Sequence, residues 1–488
     1  MKIVILPHVL KEFMFETILL SLFMTLGSPS DTSYHSSVEI KALASDLGTT
    51  PFWMRSLQYG TIPLENPGAV GILRHGKNSD FSKKYDWNYR VEAVAWAGQK
   101  SDFFLSEAFV SGRRGKWELW AGRKKEVYGL GDSTLSGGFY AWSGNALPMP
   151  KVQIGTRDYL NFFKNWFGIH MTYAHGWFDN QGPVLNAMMH QKTLFGRIGK
   201  PNSLLNFYGG LNHFVSWGGE AKVKTGGDYD YYPSSLNAYF YVVTLLKDRS
   251  IVAVDTATSA DDSGNQYGNH LGSIDFALKF QPSWGEVLVY KQTAYETGRV
   301  FKLTTADDGI SGISIKLKKR GFIEAITFEY LYTANQGRYV SGIGRAFGLV
   351  DPHLSETEGY FNNGGRGGWK YMGKGLGTPL IVIDNESAQG GTFNFSRNAN
   401  ESFYLGIRGS LPNQLFWQIR ASQSYHGVIL GGAWYNQYVS YIPQFSAALS
   451  LGKQIGENLS FQAQIGYDQG ERIKNTLGMN LGFKYQFH

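Results

Sequence analysis

The stretch LGMNLGFKYQFH, residues Leu477 to His488, decides the fold. Every second residue from Leu477 to Phe487 is apolar, and the residues between them are polar or glycine. Because successive side chains of a β-strand point to opposite faces, this strand has one apolar and one polar face. Its length matches the roughly 9 to 11 residues that a tilted strand needs to cross a bilayer. The stretch therefore predicts a membrane-spanning strand, although a soluble sandwich strand can also alternate in this way.

The same alternation recurs along the chain. The segments Phe445 to Leu451 and Leu459 to Tyr467 predict a hairpin with a short polar turn at Gly456–Asn458. At about 20 to 25 residues per strand, and with the even strand number of bacterial barrels, residues 81–488 predict a transmembrane antiparallel β-barrel of about 18 strands. Further alternating segments are Tyr85 to Ala97, Phe167 to Tyr173, Gly272 to Phe280, Ile313 to Leu317, Phe403 to Ile407 and Leu415 to Ala421.

Composition excludes several classes of protein. The chain has 488 residues, of which 17% are charged and 15% aromatic, with 60 glycines and no cysteine. Soluble domains carry about 25% charge, so an ordinary cytoplasmic enzyme is disfavoured. The lack of cysteine excludes disulfide scaffolds, thiolate metal sites and cysteine nucleophiles. The net charge of +7 either reflects the ordinary variation of protein charge or favours an acidic partner. Acidic polysaccharides and nucleic acids are such partners, and we expect only a polysaccharide.

The N-terminal region predicts secretion, and together with the predicted barrel it indicates the outer membrane of a Gram-negative bacterium. Residues 1–30 contain the apolar block Thr17 to Leu26 and predict a signal peptide, with translation starting at Met1 or Met14. The alternative for this block is a membrane anchor, for which it is short.

Residues 31–80 are expected to precede the barrel. Ile40, Leu43 and Leu47 have helical spacing, which predicts one short periplasmic helix over Ser37 to Leu47. The irregular segment Pro51 to Pro63 is either a plug element or a lead-in to the first strand.

The polar strand faces predict a wet and rather basic lumen. Four basic side chains carry this prediction, although charged residues line any water-filled barrel. They are Arg90, Lys316, Lys318 and Arg420.

Enzymatic and metal-binding patterns are lacking. No GxSxG, HExxH or P-loop motif occurs, so we expect no catalytic residues, no metal and no cofactor. His170 and His175 lie five residues apart on one predicted strand and should face opposite sides. His190 and His213 are expected to have no nearby carboxylate or histidine that could complete a site.

Five motifs in order resemble the capsule assembly protein family Wzi, particularly its members in Bacteroidetes-type bacteria. They are PFWMRSLQYGTIP (Pro51 to Pro63), GRKKEVYGLGDS (Gly122 to Ser133), GGFYAWSGNALPMPKVQIG (Gly137 to Gly155), LNHFVSWGGE (Leu211 to Glu220) and YFNNGGRGGWKYMGKGLGTPL (Tyr360 to Leu380).

The resemblance covers most of the chain from about residue 50. It implies an 18-stranded outer-membrane barrel, in contact with outer-membrane lipids, that anchors capsular or related polysaccharide as a surface lectin. The family has a substantial periplasmic helical region, whereas this chain offers about one short helix, so the resemblance assigns no partner in an export machinery.

The segment Tyr360 to Leu380 combines the groups that bind sugars. Aromatic rings stack on sugar faces, amides bond hydroxyls and cations pair with uronate carboxylates. In the alternative interpretation the segment folds inward as a constriction and Trp369 is a hydrophobic anchor. The candidate binding residues are Asn362, Asn363, Arg366, Trp369, Lys370, Tyr371 and Lys374.

Three functions follow from these patterns. A polysaccharide-anchoring lectin predicts binding loops above an occluded lumen, whereas a diffusion porin for sugars or anions predicts an open path lined by basic residues. A surface enzyme requires a catalytic pair, which the sequence does not reveal.

Overall fold

The computed structural model describes residues 34–224, 231–246, 267–296, 300, 303–351, 358–363, 365–387, 394–431 and 436–487. The signal peptide predicted at 1–30 lies outside these ranges. The alternating segments form one closed antiparallel barrel of 18 strands, as predicted. The strands are β1 Tyr34–Ser45, β2 Gly68–Lys77, β3 Tyr85–Gly98, β4 Asp102–Arg114, β5 Trp117–Arg123, β6 Pro150–Thr156 continued by Leu160–Phe162, β7 Phe167–Trp177, β8 Met188–Ile198, β9 Leu205–Trp217, β10 Asn269–Phe280, β11 Gly285–Tyr295, β12 Gly309–Leu317, β13 Ala325–Tyr332, β14 Ala399–Leu411, β15 Leu415–Leu430, β16 Tyr438–Ile455, β17 Leu459–Gly470 and β18 Thr476–Phe487.

Closure is made by the first and last strands. β1 pairs with β2 on one side and with β18 on the other, so the ring has no free edge. Connections such as 115–116 and 412–414 are short turns at one end of the barrel, which we call the short-turn end. At the opposite, long-loop end lie the connections 46–67, 124–149, 218–268 and 333–398.

The alternation predicted for the last strand is confirmed. The apolar side chains of β18, from Leu477 to Tyr485, are exposed on the outer wall. The polar partner Asn480 is buried on the inside, where it donates to Gln464. The predicted hairpin of β16 and β17, turning at residues 456–458, is confirmed as well.

The helix predicted over Ser37 to Leu47 is wrong, because this segment is strand β1. Leu43 points inward and is buried, whereas Ile40 points outward. The apolar residues fit helical spacing by coincidence, since Ser37, Glu39 and Lys41 also alternate with Val38 and Ile40 in the period of a strand. The barrel therefore begins before residue 81, with both β1 and β2 inside the region expected to precede it.

Three of the long connections fold back into the barrel, and we call them together the plug. They contribute Trp53, Tyr140 and Trp369 to one apolar core that also includes wall residues such as Phe214 and Tyr404. The segment Pro51 to Pro63 is thus a plug element rather than a lead-in. Its helix α1, Phe52–Arg55, is held by the Trp53 indole N–H, which donates to Ser422 of β15 at 3.0 Å.

Wall side chains accept hydrogen bonds from the plug backbone. The acceptors are three kinds of inward side chain, Asp, Glu and Gln, and they come from five different strands. Each accepts a hydrogen bond from a backbone N–H group that has no partner in regular secondary structure. The pairs are Lys125 with Glu107 (3.0 Å), Leu130 with Asp275 (2.8 Å), Gly137 with Glu329 (2.6 Å), Tyr140 with Gln292 (2.8 Å) and Phe52 with Asp468 (2.8 Å).

Helix α2, Leu236–Thr244, lies against the outer face of the wall. Its Val242 packs on Val215 and Trp217, whose neighbours in β9 point into the lumen. Lys192 of β8 donates to the carbonyl of Val243, and Tyr239 stacks on Trp217 with ring centroids 5.0 Å apart. The opposite side of this segment exposes Leu236, Phe240, Leu245 and Leu246.

The remaining helices are short: α3, Gly342–Ala346, and a 3₁₀ turn at Asp384–Glu386. In the ranges described, no helix has the length and apolar character needed to cross a membrane.

The absence of cysteine makes the β1–β18 closure directly testable. Ala42 and Leu481 face each other across this pair, and opposed Cα atoms at about 4.5 to 5.5 Å fit a disulfide. We expect the double variant Ala42→Cys/Leu481→Cys to crosslink on mild oxidation, seen as faster migration on a non-reducing gel. The control pair Ala42→Cys/Leu477→Cys is offset by four residues, about 13 Å, and should stay open. Equal crosslinking of both pairs would contradict the register.

The plug also contains a pH-sensitive contact. Asp308 is buried and accepts the backbone N–H of Asn335 at 3.1 Å and of Gln336 at 2.8 Å, and the hydroxyl of Tyr360 at 2.7 Å. Burial raises its pKa to about 7, against the opposing effect of these hydrogen bonds. The native state therefore binds this proton more tightly than the unfolded state, so the local free energy of unfolding falls as pH rises from about 4 to about 7.

We expect hydrogen exchange at Asn335 and Gln336, corrected for its intrinsic rate, to be faster at pH 8 than at pH 5. Asp308→Asn should abolish this pH dependence. It should also speed exchange at both pH values, because the side-chain NH₂ of the asparagine is a donor and cannot accept the backbone N–H groups. The matched control is Asp307→Asn at the exposed neighbouring position, which should behave like the parent. A pH dependence that survives in Asp308→Asn would assign it to another group.

Candidate functional site

A cavity of about 170 Å³ opens at the long-loop end of the barrel. It lies between the β7–β8 connection, residues 178–187, and the plug segment 366–373. Its side chains combine charge, amide and aromatic surface, which are the groups that hold a sugar. They are Phe178, Asp179, Gln181, Arg366 and Lys370.

Two glycines shape the plug segment beside this cavity. Gly367 and Gly368 have φ values of +79° and +82°, a backbone conformation that favours glycine. A Cβ on Gly367 would lie 2.4 Å from Cδ of Pro183, so this glycine also allows the two loops to approach closely. The Asn363 side chain closes the turn by accepting the Arg366 N–H at 2.9 Å. The turn directs Arg366 and Lys370 to the cavity.

Arg366 is the fixed cation of the site. Its side chain is only 8% exposed, and its guanidinium donates to the carbonyl of Gly218 at 3.1 Å. It also lies 4.3 Å from the ring centroid of Tyr232, in cation–π geometry. These contacts fix the guanidinium in position at the cavity wall.

Lys370 is the second cation, and Asp179 is the carboxylate of the cavity. Partial burial lowers the pKa of Lys370, while Asp179 and Asp384 oppose the shift. Asp179 is held by the backbone N–H groups of Gln181 at 2.8 Å and Met372 at 2.5 Å. Arg366, Lys370 and Asp179 are thus the charged side chains that line the cavity.

Trp369 and Tyr371 are not available to a ligand. Trp369 is 1% exposed, and its indole N–H donates to the carbonyl of Ala141 at 2.7 Å. Tyr371 is 2% exposed, and its hydroxyl accepts from Arg123 at 3.0 Å. The prediction that these rings are exposed for stacking is wrong, because the segment folds inward and uses both as plug core, as the constriction interpretation expects.

The other candidate residues of this segment lie apart from the cavity. Asn362 is exposed, and Asn363 holds the turn. Lys374 lies among Glu386, Arg55 and Glu65, and burial lowers its pKa. Of the seven predicted binding residues, the fold therefore brings only Arg366 and Lys370 to the cavity.

Three of the four predicted lumen cations face inward. Lys316 pairs with Asp132 of the plug at 3.1 Å, Arg90 lies 3.9 Å from Glu107, and Arg420 lies beside Tyr404. The prediction that Lys318 lines the lumen is wrong. It follows the end of β12, is exposed, and donates to the carbonyl of Pro282 in the neighbouring turn at 3.3 Å.

The histidines form an outer-wall cluster that the sequence conceals. His213 lies within a hydrogen bond of His270, at 3.0 Å, and the rings of His190 and His213 are 6.2 Å apart. The expectation that His190 and His213 lack a histidine neighbour is therefore wrong, because strand pairing joins residues distant in sequence. His170 faces inward and His175 outward, as predicted. No group of three or more His, Asp or Glu side chains that could hold a metal ion occurs in the part of the chain described.

Sequence reasoning missed the opposite wall of the cavity. Phe178, Asp179 and Gln181 follow β7 in the stretch WFDNQG. The signal present is a turn composition directly after an alternating strand, which marks a loop at the same end as the plug segment. Nothing in the sequence says that the two loops meet.

Comparison with known proteins places the fold. No protein-family model matches the sequence, and no curated protein matches it. Among solved structures, the chain is similar to Wzi of Escherichia coli, with a TM-score of 0.58 and 14% identity over 96% of this chain and 87% of that one. The chain shares the fold of the Wzi barrel.

That Wzi structure is described as an outer-membrane protein involved in group 1 capsule assembly and as a carbohydrate-binding β-barrel. Two Pseudomonas aeruginosa proteins are less similar to this chain. OccK5 has a TM-score of 0.45 and 9% identity, over 93% of this chain and 98% of that one. OprD has a TM-score of 0.42 and 9% identity, over 93% of each chain.

The close approach at Gly367 gives a test of the cavity wall. Gly367→Ala should displace residues 178–187, because its Cβ meets Pro183, and hydrogen exchange in that loop should rise. Gly373→Ala is the matched control, with a φ of +75° and no atom closer than 3.8 Å. Both variants carry the cost of a left-handed alanine, about 1 kcal/mol. Equal exchange in the two variants would mean that the loops are not in contact at this point.

Proposed function

We propose that the protein is an outer-membrane polysaccharide-binding protein that anchors capsular or related surface polysaccharide to the cell. The observation that carries the proposal is the combination of a plugged barrel with a cationic cavity at its long-loop end. Binding rather than catalysis is proposed, because the cavity offers fixed charges and amides but no paired nucleophile and base.

The orientation follows from loop length. In bacterial outer-membrane barrels short turns face the periplasm and longer loops face the exterior. The long-loop end, with the cavity of Arg366 and Lys370, then faces the surrounding glycan. A polymer attached to the cell surface would reach this cavity without crossing the membrane.

The chemistry of the cavity supports a uronate-containing ligand. The guanidinium of Arg366 and the ammonium of Lys370 pair with a carboxylate, and Asp179 and Gln181 can bond to hydroxyls. One partly exposed charge pair contributes only about 0 to 1 kcal/mol. A repeating polymer engages several such contacts at once, so retention depends on their number.

The plug opposes the alternative of a diffusion porin. We expect the purified protein to give no stable conductance of porin size in planar bilayers, because three inserted segments pack across the lumen. A general porin incorporated in the same bilayers is the positive control. A stable porin-sized conductance in the parent would instead support diffusion of sugars or anions.

The cavity is tested by charge removal. Lys370→Gln should weaken binding of polygalacturonate by the detergent-solubilised protein up to about 5-fold for a single contact, and should reduce cell-associated polysaccharide more strongly. The double variant Arg366→Gln/Lys370→Gln should lower retention further. Binding should also fall as salt rises, since screening acts over about 8 to 10 Å.

Lys224→Gln is the matched control. Lys224 lies at the same end of the barrel and pairs with Glu220 at 2.7 Å on the surface, so its loss removes one charge outside the cavity. It should leave retention unchanged. If Lys370→Gln and Lys224→Gln weaken binding equally, only net charge matters and the proposed site is rejected.

A further inference from the structure

A group of aromatic and cationic side chains lies on the outer wall at the short-turn end of strands β3 to β5. Tyr85, Arg114 and Trp117 lie opposite one another across the three strands, and all three are exposed. Lys84 is exposed as well and immediately precedes Tyr85. We call these four residues the β3–β5 patch.

The aromatic residues place the patch at the border of the membrane. Aromatic side chains at the strand ends of an outer-membrane barrel lie at the level of the lipid headgroups. Tyr85 and Trp117 occupy such ends, and Trp87, two residues along β3, is exposed on the same face. Because short turns face the periplasm, the patch lies in the periplasmic leaflet.

The two cations of the patch lie beside one tyrosine ring. The guanidinium carbon of Arg114 is 5.6 Å from the ring centroid of Tyr85, and Nζ of Lys84 is 5.7 Å from it, so both are in cation–π geometry. Neither side chain forms an ion pair or a side-chain hydrogen bond with another described residue. Like charges held close together repel, and an anion bound by both offsets this repulsion.

The neighbouring lysines differ in this respect, because each of them has a carboxylate partner. The lack of a carboxylate at Lys84 and Arg114 is therefore a property of the patch and not of the whole short-turn end. The neighbouring pairs are Lys77 with Asp86 at 3.0 Å, Lys83 with Asp80 at 3.4 Å and Lys116 with Asp158 at 3.5 Å.

The wall next to the cations has an open gap. Gly112 lies two residues from Arg114 on the same face of β4, between Trp87 of β3 and Leu119 of β5. A Cβ at Gly112 would have no heavy atom within 4 Å. Trp87 and Leu119 are 49% and 54% exposed, so the gap has apolar sides. Its size and lining suit an acyl chain that runs along the wall.

We propose that the β3–β5 patch binds an anionic phospholipid, with its phosphate at Arg114 and Lys84 and an acyl chain over Gly112. A guanidinium bonds two phosphate oxygens at once, and an ammonium adds a second positive charge. The site lies on the outside of the barrel. It goes beyond the proposed function, because it does not depend on the glycan cavity.

The charge preference is tested by native mass spectrometry of the full-length protein released from detergent micelles. Dioleoylphosphatidylglycerol is the anionic probe, and dioleoylphosphatidylcholine is the zwitterionic probe. The parent should bind the anionic lipid more tightly. Lys84→Gln/Arg114→Gln should weaken this binding by up to about 25-fold, as expected for two exposed charge contacts, and should leave phosphatidylcholine unchanged.

Lys319→Gln/Lys453→Gln is the matched control for charge. Both lysines are exposed at the same end of the barrel, so the variant removes two positive charges outside the patch. It should retain the parent's affinity for phosphatidylglycerol. Equal weakening by the two double variants would mean that only net charge matters, and the site would be rejected. Equal binding of the two lipids by the parent would reject it as well.

The acyl chain is tested by filling the gap. Gly112→Leu should weaken phosphatidylglycerol binding, whereas Gly71→Leu on the outer face of β2, where a Cβ also has no atom within 4 Å, should not. If the two variants bind alike, or if inorganic phosphate at the lipid's concentration displaces the lipid, the patch holds an anion only and the lipid proposal is wrong. Heat-modifiable gel migration verifies that each variant is folded. None of these variants changes the cavity of Arg366 and Lys370, so failure here leaves the proposed function intact.

Discussion

The structure depends on how the backbone of the plug, which lies inside the barrel, makes its hydrogen bonds. The plug has little regular secondary structure, so its N–H groups must find acceptors inside a space closed to bulk solvent. Inward Asp, Glu and Gln side chains of the wall supply them at five points, from β4 to β17. The strands thus serve both as a wall and as a set of acceptors.

This arrangement gives the polar lumen face a structural purpose. In an open channel, alternating polar residues hold water and select solutes. Here Glu329 and Gln292 hold loop backbone, and Lys316 pairs with Asp132. Removing one such acceptor leaves a buried N–H unsatisfied, which costs about 1 to 3 kcal/mol. The plug is therefore specified by many separate contacts and is joined to the wall along most of the ring.

Local patterns predicted the strands well. Alternation is a property of neighbouring residues, so β18 and the hairpin of β16 and β17 are visible in the sequence. β1 was missed because Ile40, Leu43 and Leu47 satisfy helical spacing, and only pairing with β2 and β18 selects the strand.

The candidate site was predicted less well, because its geometry depends on contacts between distant segments. Arg366 and Lys370 were identified by charge, but the burial of Trp369 depends on Ala141, more than two hundred residues away. The meeting of His213 and His270 likewise depends on strand register. Composition identified the segment that matters, and the fold decided which of its side chains face a ligand.

Because helix α2 lies outside the wall, the outer surface of the barrel at β8 and β9 differs from the rest of the ring. At β8 and β9 the outer wall near the long-loop end carries His190, Lys192 and His213, which are poorly suited to hydrocarbon. Tyr239 of the helix lies within hydrogen-bonding distance of His190, Lys192 donates to the carbonyl of Val243, and Leu236, Phe240 and Leu246 of this segment are exposed. On this sector a helix therefore adds exposed apolar side chains outside the ring of strands. Because α2 packs on Trp217, next to Ser216 of the cavity, the helix on the outer wall and the cavity on the inside share a common support.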